Sequence, residues 1–80
     1  MMQIKVLYFA QLGEEAAKAE ELLETTADTL AAVYAQLRER YGFSLAQNQL
    51  RVARNQAFAD WQDGLAEGDE IAFIPPVSGG

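Results

Sequence analysis

The 80-residue chain contains no cysteine and no histidine. The first absence excludes disulfides, thiol nucleophiles and thiolate metal sites. The second removes the commonest general base and metal ligand at neutral pH. A chain so composed is poorly equipped to perform chemistry with its own side chains, and a metal or bound cofactor is not expected in it. Basic residues are also scarce: six Lys and Arg stand against twelve Asp and Glu, a formal net charge of −6. Such a surface repels phosphates, which argues against a nucleic-acid partner. It attracts a basic protein partner, although acidity that simply keeps a small protein in solution accounts equally well for the charge. No apolar run approaches the roughly 20 residues that span a bilayer. The opening Met1-Met2-Gln3-Ile4-Lys5-Val6 lacks the basic region and long apolar block of a secretion signal. The expectation is a cytoplasmic chain with no membrane partner.

Half of the residues are hydrophobic, enough for one small globular domain with one core. Residues 3–9 alternate as a strand, with Ile4, Val6 and Tyr8 on one side and Lys5, Leu7 and Phe9 on the other. Both sides are largely apolar, which suits a central strand. Residues 10–18 read as a loop with one helical turn, and residues 19–24 as a second strand, although Glu20-Glu21-Leu22-Leu23-Glu24 also contains good helix formers. Thr25 is placed to cap a helix, with Asp28 answering it three residues later. Leu30, Val33, Tyr34, Leu37 and Tyr41 then recur at helical spacing, Arg38 and Arg40 suit the C-terminal dipole, and Gly42 ends the helix. Tyr34 and Tyr41 are expected in core and rim packing, and Gln36 and Glu39 as simple solvated residues.

After a connection over residues 43–49, strands are expected at 50–55, 57–59 and 70–74. Trp61 is expected to be partly buried under a loop, and Gly68 supplies a tight bend. The order strand, strand, helix, strand, strand, strand is that of an α+β two-layer domain. If the first and last strands are both central, they lie side by side and parallel. The helix then covers one sheet face. Phe9, Phe58 and Ile74 are candidates for the other, either as an exposed docking patch or beneath loops.

The domain is expected over residues 1–74, followed by a flexible tail, Pro75-Pro76-Val77-Ser78-Gly79-Gly80. Two successive prolines cannot extend a hydrogen-bonded ladder. Six extended residues reach about 20 Å. Gly79 and Gly80 make the tip as thin as a peptide can be, fit for a narrow channel in another protein. Ser78 has no His to activate it and is not expected to act as a nucleophile.

The opening IKVLYFA, the helical TTADTLAAVYAQLRERYG and the ending GDEIAFIPPVSGG together resemble the small subunits of molybdopterin synthase, a family of ubiquitin-like β-grasp sulfur carriers. The resemblance covers nearly the whole chain. It implies that the Gly80 carboxylate is adenylated by an E1-like activating enzyme using ATP and Mg, and that a sulfur donor system converts the acyl-adenylate to a thiocarboxylate. It implies that Pro75, Pro76, Val77, Ser78 and Gly79 insert into a large subunit, where sulfur is delivered for the dithiolene of molybdopterin. It further implies a heterotetramer with two small subunits at opposite ends of a large-subunit dimer. Phe9, Phe58 and Ile74 match the partner-facing surface of the family. On this reading the chain is a non-catalytic subunit, and the catalytic residues lie on the large one. The alternatives are a ubiquitin-like carrier for thiamine or tRNA thiolation, a protein modifier that conjugates to lysines, and an interaction module with an inert tail.

Overall fold

Strand alternation sets the architecture. In a computed structural model that describes residues 1–76, β1 (Met2–Tyr8) buries Ile4, Val6 and Tyr8 and turns Lys5 and Leu7 the other way. It lies inside a five-stranded sheet of order β2-β1-β5-β3-β4, formed with β2 (Glu20–Thr25), β3 (Arg51–Arg54), β4 (Ala57–Ala59) and β5 (Glu70–Ile74). β1 and β5 are parallel neighbours, in the register Val6 to Ile71 and Tyr8 to Phe73. The other pairings are antiparallel. This is the mixed sheet expected from the sequence, with its first and last strands side by side near the centre.

One helix, α2 (Leu30–Tyr41), covers one face through Leu30, Val33, Tyr34 and Leu37, all buried. Its cap is Thr29 and not Thr25: Thr29 Oγ1 accepts from the Ala32 amide at 3.2 Å. Two further amides of the first turn, those of Leu30 and Ala31, donate to the carbonyls of Asp63 and Trp61. The loop after β4 thus satisfies donors that a helix start leaves open. Thr25 closes β2 instead and is buried. Its hydroxyl accepts from the Ala27 amide and donates to Gln36 Oε1 at 2.8 Å, so Gln36 is a structural partner and not merely a solvated residue. Gly42 ends α2 in the left-handed region at φ 69, where only glycine is unstrained.

The segment expected as a loop with one helical turn contains a short helix, α1 (Gln11–Ala16), in which Leu12 and Ala16 close the end of the core. A 3₁₀ turn, Gln47–Gln49, interrupts the connection before β3. Trp61 lies half-buried beneath its loop, stacked on Phe73 with centroids 5.8 Å apart. Tyr34 packs against Phe73 at 5.1 Å within the core. Tyr41 sits at the rim and, with Tyr8, donates to the Glu21 carboxylate. Burial pushes the Tyr8 phenol well above its ordinary range, and the hydrogen bond to Glu21 adds to the shift.

β5 starts from a polar clamp. Asp69, nearly buried, accepts from Arg54 Nε at 2.7 Å, the Ala66 amide at 2.8 Å and Asn55 Nδ2 at 3.0 Å. Burial opposes its charge, but the hydrogen bonds from Asn55, Ala66 and Arg54 outweigh it and hold the carboxyl below its ordinary range. The clamp determines where β5 begins, and therefore where Pro75 and Pro76 emerge.

Candidate functional site

The sheet face opposite α2 has no helix over it. Along β5 the residues facing that way are Glu70, Ala72 and Ile74. The register places Ala53 beside Ala72, Arg51 beside Ile74 and Phe58 beside Ala53. The small side chains of Ala53 and Ala72 leave a shallow hollow of about 240 Å³, walled by Leu7, Phe9, Phe58 and Ile74. Phe9 is 46% exposed and Phe58 61%, and loops do not cover them. Ile74 is half-buried.

The apolar surface continues to the root of the tail. Phe9 and Ile74 border a second depression with Ala10, Pro75 and Pro76. Phe58 and Ile74 border a third with Arg51, Leu50 and the same two prolines. Of the residues expected to function, Phe9, Phe58, Ile74, Pro75 and Pro76 therefore share one surface. Val77, Ser78, Gly79 and Gly80 lie outside the described residues.

Sequence reasoning missed Leu7, Ala53 and Ala72 as parts of this surface, and it missed Arg51. The alternation rule contained the signal: counting back by two from Ile74 reaches Ala72, and counting on by two from Arg51 reaches Ala53. The strand pairing, which joins those two alanines, was not legible in the same way.

Electrostatically the open face is graded. Towards β2 it carries Glu20 and Glu24, with Lys5 bridged to Glu20 at 3.0 Å. A hydrogen bond from Lys5 to Glu20, reinforced by the carboxylate's charge, raises the ammonium above its ordinary value. Towards the tail root the charged group is Arg51, whose guanidinium carbon lies 3.7 Å from the Phe58 ring centroid. Among the described residues no group of His, Cys, Asp or Glu is arranged to hold a metal ion, and no helix is long and apolar enough to cross a membrane. The surface is suited to holding a partner against apolar side chains.

The model of the ThiS family matches residues 6–80. The chain belongs to the ThiS family. It is 38% identical over 80 residues to the molybdopterin synthase sulfur carrier subunit of Escherichia coli, with 96% of this chain and 99% of that one covered. SAMP1 from Haloferax volcanii has a crystal structure with a TM-score of 0.80 at 27% identity, covering 98% of this chain and 99% of that one. The subunit 1 and 2 complex of molybdopterin-converting factor from Helicobacter pylori includes a chain with a TM-score of 0.71 at 26% identity, covering 99% of this chain and all of that one. The fold of this ThiS-family chain is the ubiquitin-like β-grasp, as its resemblance to the sulfur carriers implies.

Proposed function

We propose that this chain is the sulfur-carrying small subunit of a molybdopterin synthase. The observation that carries the reading is the unbroken apolar surface from the hollow between Phe9 and Phe58, past Ile74, to Pro75 and Pro76. A large subunit docked there holds the tail root at a fixed place, and reaction at the tip becomes effectively intramolecular. The relative named as a sulfur carrier subunit and the two-subunit complex support the same reading.

In this proposal the Gly80 carboxylate attacks the α-phosphate of ATP on an E1-like activating enzyme, with Mg, and pyrophosphate leaves. A sulfur donor system then displaces AMP, leaving a thiocarboxylate. A carboxylate is a poor electrophile, and the mixed anhydride supplies the leaving group that it lacks. The loaded tail, Pro75 to Gly80, enters the large subunit and gives up its sulfur there. The assembly is a cytoplasmic heterotetramer.

Intact-mass measurement after incubation with the activating enzyme, ATP, Mg and the sulfur donor tests the chemistry. A gain of about 16 Da, oxygen replaced by sulfur at an acyl carbon, is expected, and no gain overturns the proposal. Deletion of Gly80 is expected to leave the fold intact and abolish transfer to the precursor. The likeness to SAMP1 favours a second reading, a protein modifier. Lysine adducts on other proteins, without sulfur transfer in the presence of the large subunit, would establish that one instead.

A further inference from the structure

The cations of the described surface are mostly answered by this chain's own groups. Lys5 pairs with Glu20, Lys18 with Glu21 and Arg54 with Asp69, and Arg38 Nε donates to the Phe43 carbonyl. Arg51 differs. Its guanidinium carbon lies 3.7 Å from the centroid of the exposed Phe58 ring, on the face that leads to the tail. Contact with the ring pre-orients the planar fork, and among the described residues no hydrogen bond engages its N–H donors.

We propose that Arg51 is a specificity-determining residue of the docking face, and that its guanidinium is read by a carboxylate of the large subunit beside the tail root. The inference rests on the function proposed above. If a partner covers Phe58, Ile74 and Pro75, it also covers the guanidinium that lies on Phe58. A cation taken out of water without an acceptor is costly. The partner must therefore present an acceptor there, and in this proposal it is an acidic side chain at the edge of the pocket that receives the Phe58 ring. The net charge of −6 steers the chain towards a generally basic surface. A local acid opposite Arg51 then sets the register of the docked face, because sliding the sheet would leave both charges unpaired.

The test is the affinity of the full chain for the large subunit, measured against salt for the wild type, Arg51→Met, Arg51→Lys, Arg51→Glu and Phe58→Ala. Arg51→Met keeps an apolar stem over Phe58 and is expected to bind about tenfold more weakly at low salt, a deficit that shrinks as salt screens the pair. Arg51→Lys is expected to fall between wild type and Met, having charge without the fork. Arg51→Glu is expected to be the weakest of the Arg51 variants and to be restored by reversing one acidic residue of the partner. Thermal melts of all four variants report folding separately. Wild-type affinity in Arg51→Met at low salt, with Phe58→Ala weakened, overturns this inference and leaves the proposed function standing. If the wild type does not bind the large subunit, both fall together.

Discussion

On the α2 side of the sheet, Val6, Val52, Ile71 and Phe73 are at most 1% exposed, while on the other side Phe9 and Phe58 stay 46% and 61% exposed. One sheet carries both sets: Phe9 directly follows β1, and Phe58 lies on β4 beside Ala53 of β3. Alternation sends Phe73 into the core and its neighbours Ala72 and Ile74 to the open face. Bulk is distributed differently as well. The covered face is filled by large side chains interlocking with Tyr34 and Trp61. The open face has alanines at its centre and rings at its margin, which makes a hollow and not a packed layer. One side holds the chain together, and the other is left for a second molecule. A single residue step along β5 therefore separates a folding defect from a docking defect.

Phe73→Ala should show the largest effect. The ring is fully buried between Tyr34 and Trp61, and truncating such a residue costs about 3–5 kcal/mol. Small domains have only about 5–15 kcal/mol in total. Urea denaturation should show an unfolding free energy reduced by that amount. A variant that melts like the wild type would break the contrast between the faces.

Asp69→Asn comes next and probes the polar end of β5 against its apolar end. Loss of a charged acceptor that holds Arg54, Asn55 and the Ala66 amide should cost about 2–3 kcal/mol near pH 7. The sign with pH follows from the direction of the shift. The folded-state carboxyl titrates below its ordinary 3.8, so its contribution is present above that value and is lost as pH falls through the lowered one. The gap between wild type and variant should close below about pH 4. A gap that stays constant there would mean that the charge of Asp69 does not hold the turn.

Phe58→Ala sharpens the comparison from the open side. Its ring touches solvent and Arg51, so stability should change by no more than about 0.5 kcal/mol. Affinity for the large subunit should fall by about tenfold or more, as expected for an aromatic anchor. The reverse outcome, lost stability with binding intact, would assign Phe58 to the fold.

These contrasts explain what the sequence disclosed. Alternation in β1 and β5 and the stripe Leu30, Val33, Tyr34, Leu37 were legible because burial imposes a period on side chains. The apolar character of Phe9, Phe58 and Ile74 was legible as well. Their meeting at one hollow depends on the pairing of Ala53 with Ala72, a non-local register that no single stretch encodes. The helix start was misread because Thr25 and Thr29 are both good caps. The choice was made by carbonyls of Trp61 and Asp63, some 30 residues further along the chain. α1 was legible only as one helical turn within a loop, because six residues carry little periodicity beside Gly13, and Leu12 and Ala16 owe their helix to the core that they close.

The smallest effect belongs to the turn between β3 and β4, beside the hollow. Asn55 and Gln56 both have positive φ, 52° and 72°, the signature of a two-residue hairpin turn that favours Asn-Gly. Asn55 fits because its side chain donates to Asp69 and accepts from the Glu70 amide. Gln56 has no such compensation among the described hydrogen bonds, and a non-glycine residue in that region costs roughly 1–2 kcal/mol. Gln56→Gly removes that strain but gives the unfolded chain more freedom. The net gain should therefore be about 0.5 kcal/mol, seen as a small rise in the denaturation midpoint. Gln56 borders the hollow without supplying its apolar surface, so docking should not change. A stabilised variant that docks poorly would show that the turn is part of the recognised surface, and the boundary between the two faces would have to be drawn one residue further into β4.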